Sequence, residues 1–178
     1  DHQSAPGVYG WAELADGKTN LFLGGDIPHG WAAAEYVSLV RDMLVREVGN
    51  AIHLAAGVTP AWLEHGKRVE LGRAKTTFGA VEYRLHSKAD AGQIEMQLKA
   101  DARPPDGFFW PVPPLKAPVT SVSIDGRQTE MPADRKLPIP PDARQIILTL
   151  KVDPPRAETE PYRARMASWR SNLTNENV

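Results

Sequence analysis

After Gly49-Asn50 the apolar residues stop recurring at three- and four-residue intervals and begin to alternate in short runs. That change of period constrains the fold more than any other feature of the chain. The runs Ala51–Ala56, Arg68–Leu71, Val81–Ser87, Gln93–Ala100, Thr120–Ile124 and Gln145–Val152 predict strands, with Gly57, Gly66, Gly79, Gly92, Gly107 and Gly126 dividing them. Thr120–Ile124 followed by Asp125-Gly126 predicts a hairpin with a glycine-supported turn. Short strands at near-regular spacing predict a mainly β chain whose central unit, residues 50–152, is an antiparallel β-sandwich. Between Arg103 and Pro118 prolines surround Phe108-Phe109-Trp110, which predicts an extended connection or an edge strand rather than a central one.

Before this switch lies one long helix, predicted over 31–48. Trp31, Ala33, Ala34, Val37, Val40, Leu44 and Val48 make its apolar face, Asp42 and Arg46 can pair one turn apart, and Gly49-Asn50 supplies a stop. Tyr36, Leu39 and Met43 widen the apolar surface beyond one side, so the helix expects neighbours on more than one side. Residues 1–30 are rich in turn formers, with Tyr9, Trp11, Glu13, Asp26 and His29 interleaved, as in loops that carry function. After the Asp153-Pro154-Pro155 linker, Tyr162, Met166, Trp169 and Leu173 predict a short amphipathic C-terminal helix or tail over 153–178.

The 178 residues carry 21 basic and 22 acidic side chains, a balance that argues against a nucleic-acid footprint. No run approaches the roughly 18 apolar residues of a membrane span. Without cysteine there is no disulfide and no thiol chemistry, which suits a bacterial cytoplasm or a periplasm equally. His53, His65 and His86 stand singly, without ligand spacing, so neither a metal nor another cofactor is expected.

Gly25-Asp26-Ile27-Pro28-His29-Gly30-Trp31-Ala32-Ala33-Ala34-Glu35-Tyr36-Val37, then Arg41–Glu47 and Gly57-Val58-Thr59-Pro60-Ala61-Trp62-Leu63, resemble the closing helix and following β-domain of bacterial six-hairpin glycosidases, the (α/α)6-barrel, glucoamylase-like superfamily. Thr76-Thr77-Phe78-Gly79 is similar to the opening of that domain's next hairpin. The resemblance implies that residues 1–49 are the terminal loop and helix of a barrel. A barrel needs twelve helices, more than about 130 residues at about 11–12 each, so the chain is expected to be the C-terminal portion of a longer enzyme. It further implies an accessory or stabilising region of a glycoside hydrolase acting on oligo- or polysaccharide, inactive alone, whose partners are carbohydrate and the rest of the enzyme or another chain. The alternative is a self-standing, non-catalytic carbohydrate-binding or interaction sandwich.

Tyr9-Gly10-Trp11-Ala12-Glu13 occupies the place where glucoamylase-like enzymes carry an aromatic-Ala-Glu segment with the catalytic base, although Leu14 stands where they usually have Gln. Glycoside hydrolysis by inversion needs an acid and a base roughly 6.5–9.5 Å apart. Glu13 is the candidate base, with Trp11 beside it to stack on a sugar, or else an exposed loop glutamate. Asp26, His29 and Trp31 are candidates for lining the sugar pocket; Asp26 and His29 alternatively serve the loop and helix start by hydrogen bonding. Phe108-Phe109-Trp110 with Trp62 form either a carbohydrate-stacking platform, or else sandwich core or interdomain contact.

Overall fold

The computed structural model describes residues 14, 15, 18, 22–24 and 29–152. Strands β1 (Leu14–Ala15) and β2 (Phe22–Gly24) pair antiparallel ahead of helix α1 (Gly30–Leu44). There follow β3 (Val45–Val48), β4 (Ala51–Leu54), β5 (Arg68–Thr76), β6 (Gly79–Lys88), β7 (Gln93–Ala100) and β8 (Phe108–Pro111). The chain continues through β9 (Val119–Ile124), β10 (Arg127–Thr129), β11 (Lys136–Ile139) and β12 (Gln145–Leu150). One sheet has the order β11-β8-β4-β3, the other β10-β9-β12-β7-β6-β5.

Alternation decides which face of each sheet is dry. In β7, Ile94, Met96 and Leu98 are buried, while Gln93, Gln97 and Lys99 face water. Val81, Tyr83 and Leu85 of β6 and Ile146, Leu148 and Leu150 of β12 turn the same way. Ile52, Leu54, Phe108, Trp110, Leu137 and Ile139 from the smaller sheet complete the same apolar cluster. One cluster fed by one face of each sheet makes a two-layer sandwich. Each large side chain in it contributes roughly 1.5–3 kcal/mol through burial, enough to make the sandwich the stable centre of the chain.

The β9–β10 hairpin forms as its sequence predicts. Arg127 pairs with Ile124 across Asp125-Gly126, whose positive φ values of 48° and 81° suit a primed two-residue turn. Four local expectations are corrected. The helix ends at Leu44, not Val48, because Val45–Val48 finds a ladder partner in Ala51–Leu54. Gly49, at φ 59°, therefore opens a hairpin turn rather than stopping a helix, and Asp42 lies 3.6 Å from Arg41 instead of pairing with Arg46. Phe108–Pro111 is a central strand, between β11 and β4, with Pro111 at its last position. Its pairing with β4 is parallel, the exception to the antiparallel rule here, and it spans the whole β5–β7 excursion. The predicted C-terminal helix lies outside the described residues.

Among the described residues, the hydrogen bonds that fix helix α1 to the sandwich come from its last turn. The Leu44 carbonyl, orphaned at the helix end, accepts the Ala55 N–H at 2.7 Å and the Tyr83 hydroxyl at 3.0 Å. The Met43 carbonyl accepts the Gly57 N–H at 2.9 Å, and a Cβ at Gly57 would stand 2.5 Å from the Met43 side chain. The Arg41 guanidinium donates to the Lys75 carbonyl at 2.6 Å. No residue of the helix is buried, and Trp31, Tyr36, Val37 and Leu39 are exposed.

Candidate functional site

Of the residues proposed from sequence, Trp11, Glu13 and Asp26 lie outside the described residues. The structure brings His29 and Trp31 together at the head of α1, their rings 5.1 Å apart and edge to face. His29 is the residue before the first helical turn and makes no side-chain cap hydrogen bond there. Trp31 is 61% exposed, so one indole stands on the surface beside an imidazole.

The proposed aromatic platform divides by strand parity. Phe108 and Trp110 enter the core, whereas Phe109, between them in β8, turns to the outer face of the smaller sheet. Trp62 is exposed on the 3-10 turn Pro60–Leu63. It is not among the residues lining the cleft at Phe109.

That cleft has a volume of about 680 Å³ and lies at one end of the sandwich. Phe109 and Pro138 border it from the smaller sheet, and Asp125, Arg127 and Thr129 from the β9–β10 hairpin. Asp106 and Asp142 complete its polar rim. The Asp125 carboxylate is held in place by accepting the N–H groups of Arg144 at 3.0 Å and Gln145 at 2.8 Å. A partly exposed ring among carboxylates, one of them fixed, with a guanidinium and a hydroxyl offers the mixed apolar and polar contacts that a polyhydroxylated ligand uses. In chemical terms this is a binding surface. Sequence reasoning could have found Phe109 from the in-out-in pattern of Phe108-Phe109-Trp110, but the hairpin side of the cleft is made by topology.

Beside it, cross-strand pairing assembles a second group. Arg46 of β3 lies opposite His53 of β4, His53 opposite Phe109 of β8, and Phe109 opposite Pro138 of β11. Lys136 places its ammonium 4.2 Å from the centre of the Phe109 ring, a cation–π contact. The Phe109 ring in turn meets the His53 imidazole edge-on at 5.8 Å. His53 is only 7% exposed, and neither ring nitrogen has a hydrogen-bond partner. Burial first, then the charges of Lys136 and Arg46, hold its imidazole below the ordinary histidine value. Among the described residues no set of histidine and carboxylate side chains has the arrangement of a metal site.

The fold and site thus define a class, a two-layer β-sandwich with a helix mounted on one edge strand. No protein-family model, characterised protein or solved structure matches the chain significantly.

Proposed function

We propose that the chain is the C-terminal accessory and stabilising region of a glycoside hydrolase, with α1 docking against the rest of the same enzyme. The observation that carries this reading is the helix. It runs straight into β3 with no linker, yet Trp31, Val37 and Leu39 stand outside the sandwich core. At about 100° per residue, Leu39 lies about 80° and Val37 about 240° around the axis from Trp31. Those residues are 59%, 67% and 61% exposed, so apolar surface faces solvent on several sides. A helix of that kind suits a barrel wall, with neighbours on several sides, better than a free surface. Glu13, which the resemblance marks as the base, would act with an acid supplied by another part of the enzyme.

The test compares this chain with the longer polypeptide. The chain alone should turn over no glycoside in a panel of disaccharides and glycans, while the longer enzyme should. Glu13→Gln in that enzyme should lower the rate constant roughly 10²-fold or more. Val37→Glu with Leu39→Glu should lower the melting temperature of the longer enzyme and leave that of the chain unchanged. Turnover by the chain alone, or a double variant without effect on the longer enzyme, would sink the reading. The second reading, a self-standing carbohydrate-binding sandwich, draws on the cleft at Phe109. It predicts glycan binding by the chain that Phe109→Ala abolishes.

A further inference from the structure

We propose that the outer face of the smaller sheet, where Arg46 and Lys136 flank His53 and Phe109, is a binding site for an anionic group, the carboxylate or sulfate of an acidic saccharide. The inference stands apart from the docking of α1, because it uses the opposite part of the surface chemistry: charge rather than apolar area.

Three observations lead to it. First, among the described residues neither cation has an ion-pair partner. Arg41, Arg73, Lys99 and Lys116 each have a carboxylate partner, but no carboxylate oxygen of a described residue lies within 4.0 Å of the Arg46 guanidinium or the Lys136 ammonium; the Asp134 carboxylate accepts the Lys136 backbone N–H at 3.0 Å instead. Second, the pairing register sets those two charges on either side of one histidine and one phenyl ring, on strands whose geometry is fixed by backbone ladders. The register therefore places both cations along one face of the sheet without a change of backbone conformation. Third, His53 is buried with both ring nitrogens lacking partners, a costly state for a polar ring. Such a group gains when a negative charge arrives nearby and allows it to take up a proton.

The choice of a saccharide follows from continuity. Phe109 belongs both to this group and to the cleft of about 680 Å³ that holds Asp106, Asp125, Arg127 and Thr129. A ligand lying in the cleft can meet hydroxyl-binding groups there and present its acidic substituent to Lys136 and Arg46. The charged side chains facing His53 are Arg46 from β3 and Lys136 from β11; Phe109 from β8 is neutral. Anion binding raises the proton affinity of His53, so by linkage binding tightens as pH falls.

The experiment titrates the chain with inorganic sulfate, with a galacturonate oligomer and with the same oligomer methyl-esterified, following the His53 ring resonances by NMR. The proposal expects sulfate and the acidic oligomer to shift those resonances, and the neutral ester to bind at least tenfold more weakly than the acid. Tighter binding of the acidic oligomer than of sulfate identifies the saccharide as the source of the anion; equal or tighter binding of sulfate overturns the saccharide and leaves a free-anion site. Arg46→Gln and Lys136→Gln should each weaken binding about tenfold, the size of one charge-assisted contact. Arg46→Lys and Lys136→Arg should retain it, which separates charge from any loss of packing. Unmoved His53 resonances with every probe, or a Gln variant that binds like wild type, would overturn the site altogether.

Discussion

His53 shows how one side chain can couple a sheet's register to its stability. It sits opposite Arg46 and Phe109, nearly excluded from water, with Lys136 nearby. Burial and the charges of Lys136 and Arg46 all disfavour a second proton, so the native imidazole binds a proton less readily than the unfolded one. A native value below the unfolded one means the unfolded chain takes up more protons in acid. The stabilisation is therefore complete above the unfolded value of about 6.5 and is lost as pH falls through it towards the lower native value. In a buffer free of multivalent anions, the urea midpoint should drop between pH 7.5 and pH 5, and His53→Phe should flatten that drop. A variant that keeps the wild-type slope would show that other histidines carry it. Adding sulfate should restore part of the acid stability of wild type alone.

At the scale of elements, what could be read from the sequence is whatever depends on local pattern. Residues of β6, β7, β9 and β12 alternate strictly enough that their strands follow from the chain alone, and Asp125-Gly126 announces its turn. The boundary of α1 does not follow locally. Val45-Arg46-Glu47-Val48 continues the helical spacing, and only the presence of Ala51–Leu54 across the Gly49-Asn50 turn draws it into a ladder. β8 is obscured in a different way: prolines surround Phe108-Phe109-Trp110, and Pro111 is tolerated in the strand because it stands at its last position. The cationic face has no sequence signature, since Arg46, His53, Phe109 and Lys136 come from four strands. The same dependence on context predicts a sharp contrast along α1. Leu44, which packs against the core, should cost roughly 1–2 kcal/mol as Leu44→Ala, below the 2–5 of a fully buried site because it is partly exposed. Leu39→Ala, at an exposed position, should stay within about 0.5 kcal/mol. Chemical denaturation of both variants decides it, and equal losses would mean that the helix is packed along its length in solution.

For the whole molecule, the distribution of buried contacts implies two levels of stability in one continuous chain. The sandwich closes around a single apolar cluster, and β7 and β12 lie inside the larger sheet with partners on both sides. Opening their hydrogen bonds requires disrupting that core, so their amides should exchange only through global unfolding. Helix α1 lacks such support: its last turn is pinned through Arg41, Met43 and Leu44, while no residue of its earlier turns is fully buried. Isolated helices of this length are marginal in water, because packing rather than propensity supplies most helical stability. Hydrogen exchange on the chain should therefore find fast amides through the first turns of α1, slower ones approaching Leu44, and the slowest in Ile94–Leu98 and Ile146–Leu148. The gradient has a functional meaning under the docking proposal, since a face that must be covered is unstable until it is. In the longer enzyme the amides of 33–40 should become protected while those of β7 change little. Equal protection of α1 and β7 in the chain alone would remove the premise that the helix waits for a partner, and unchanged exchange of α1 in the longer enzyme would show that the partner is not there.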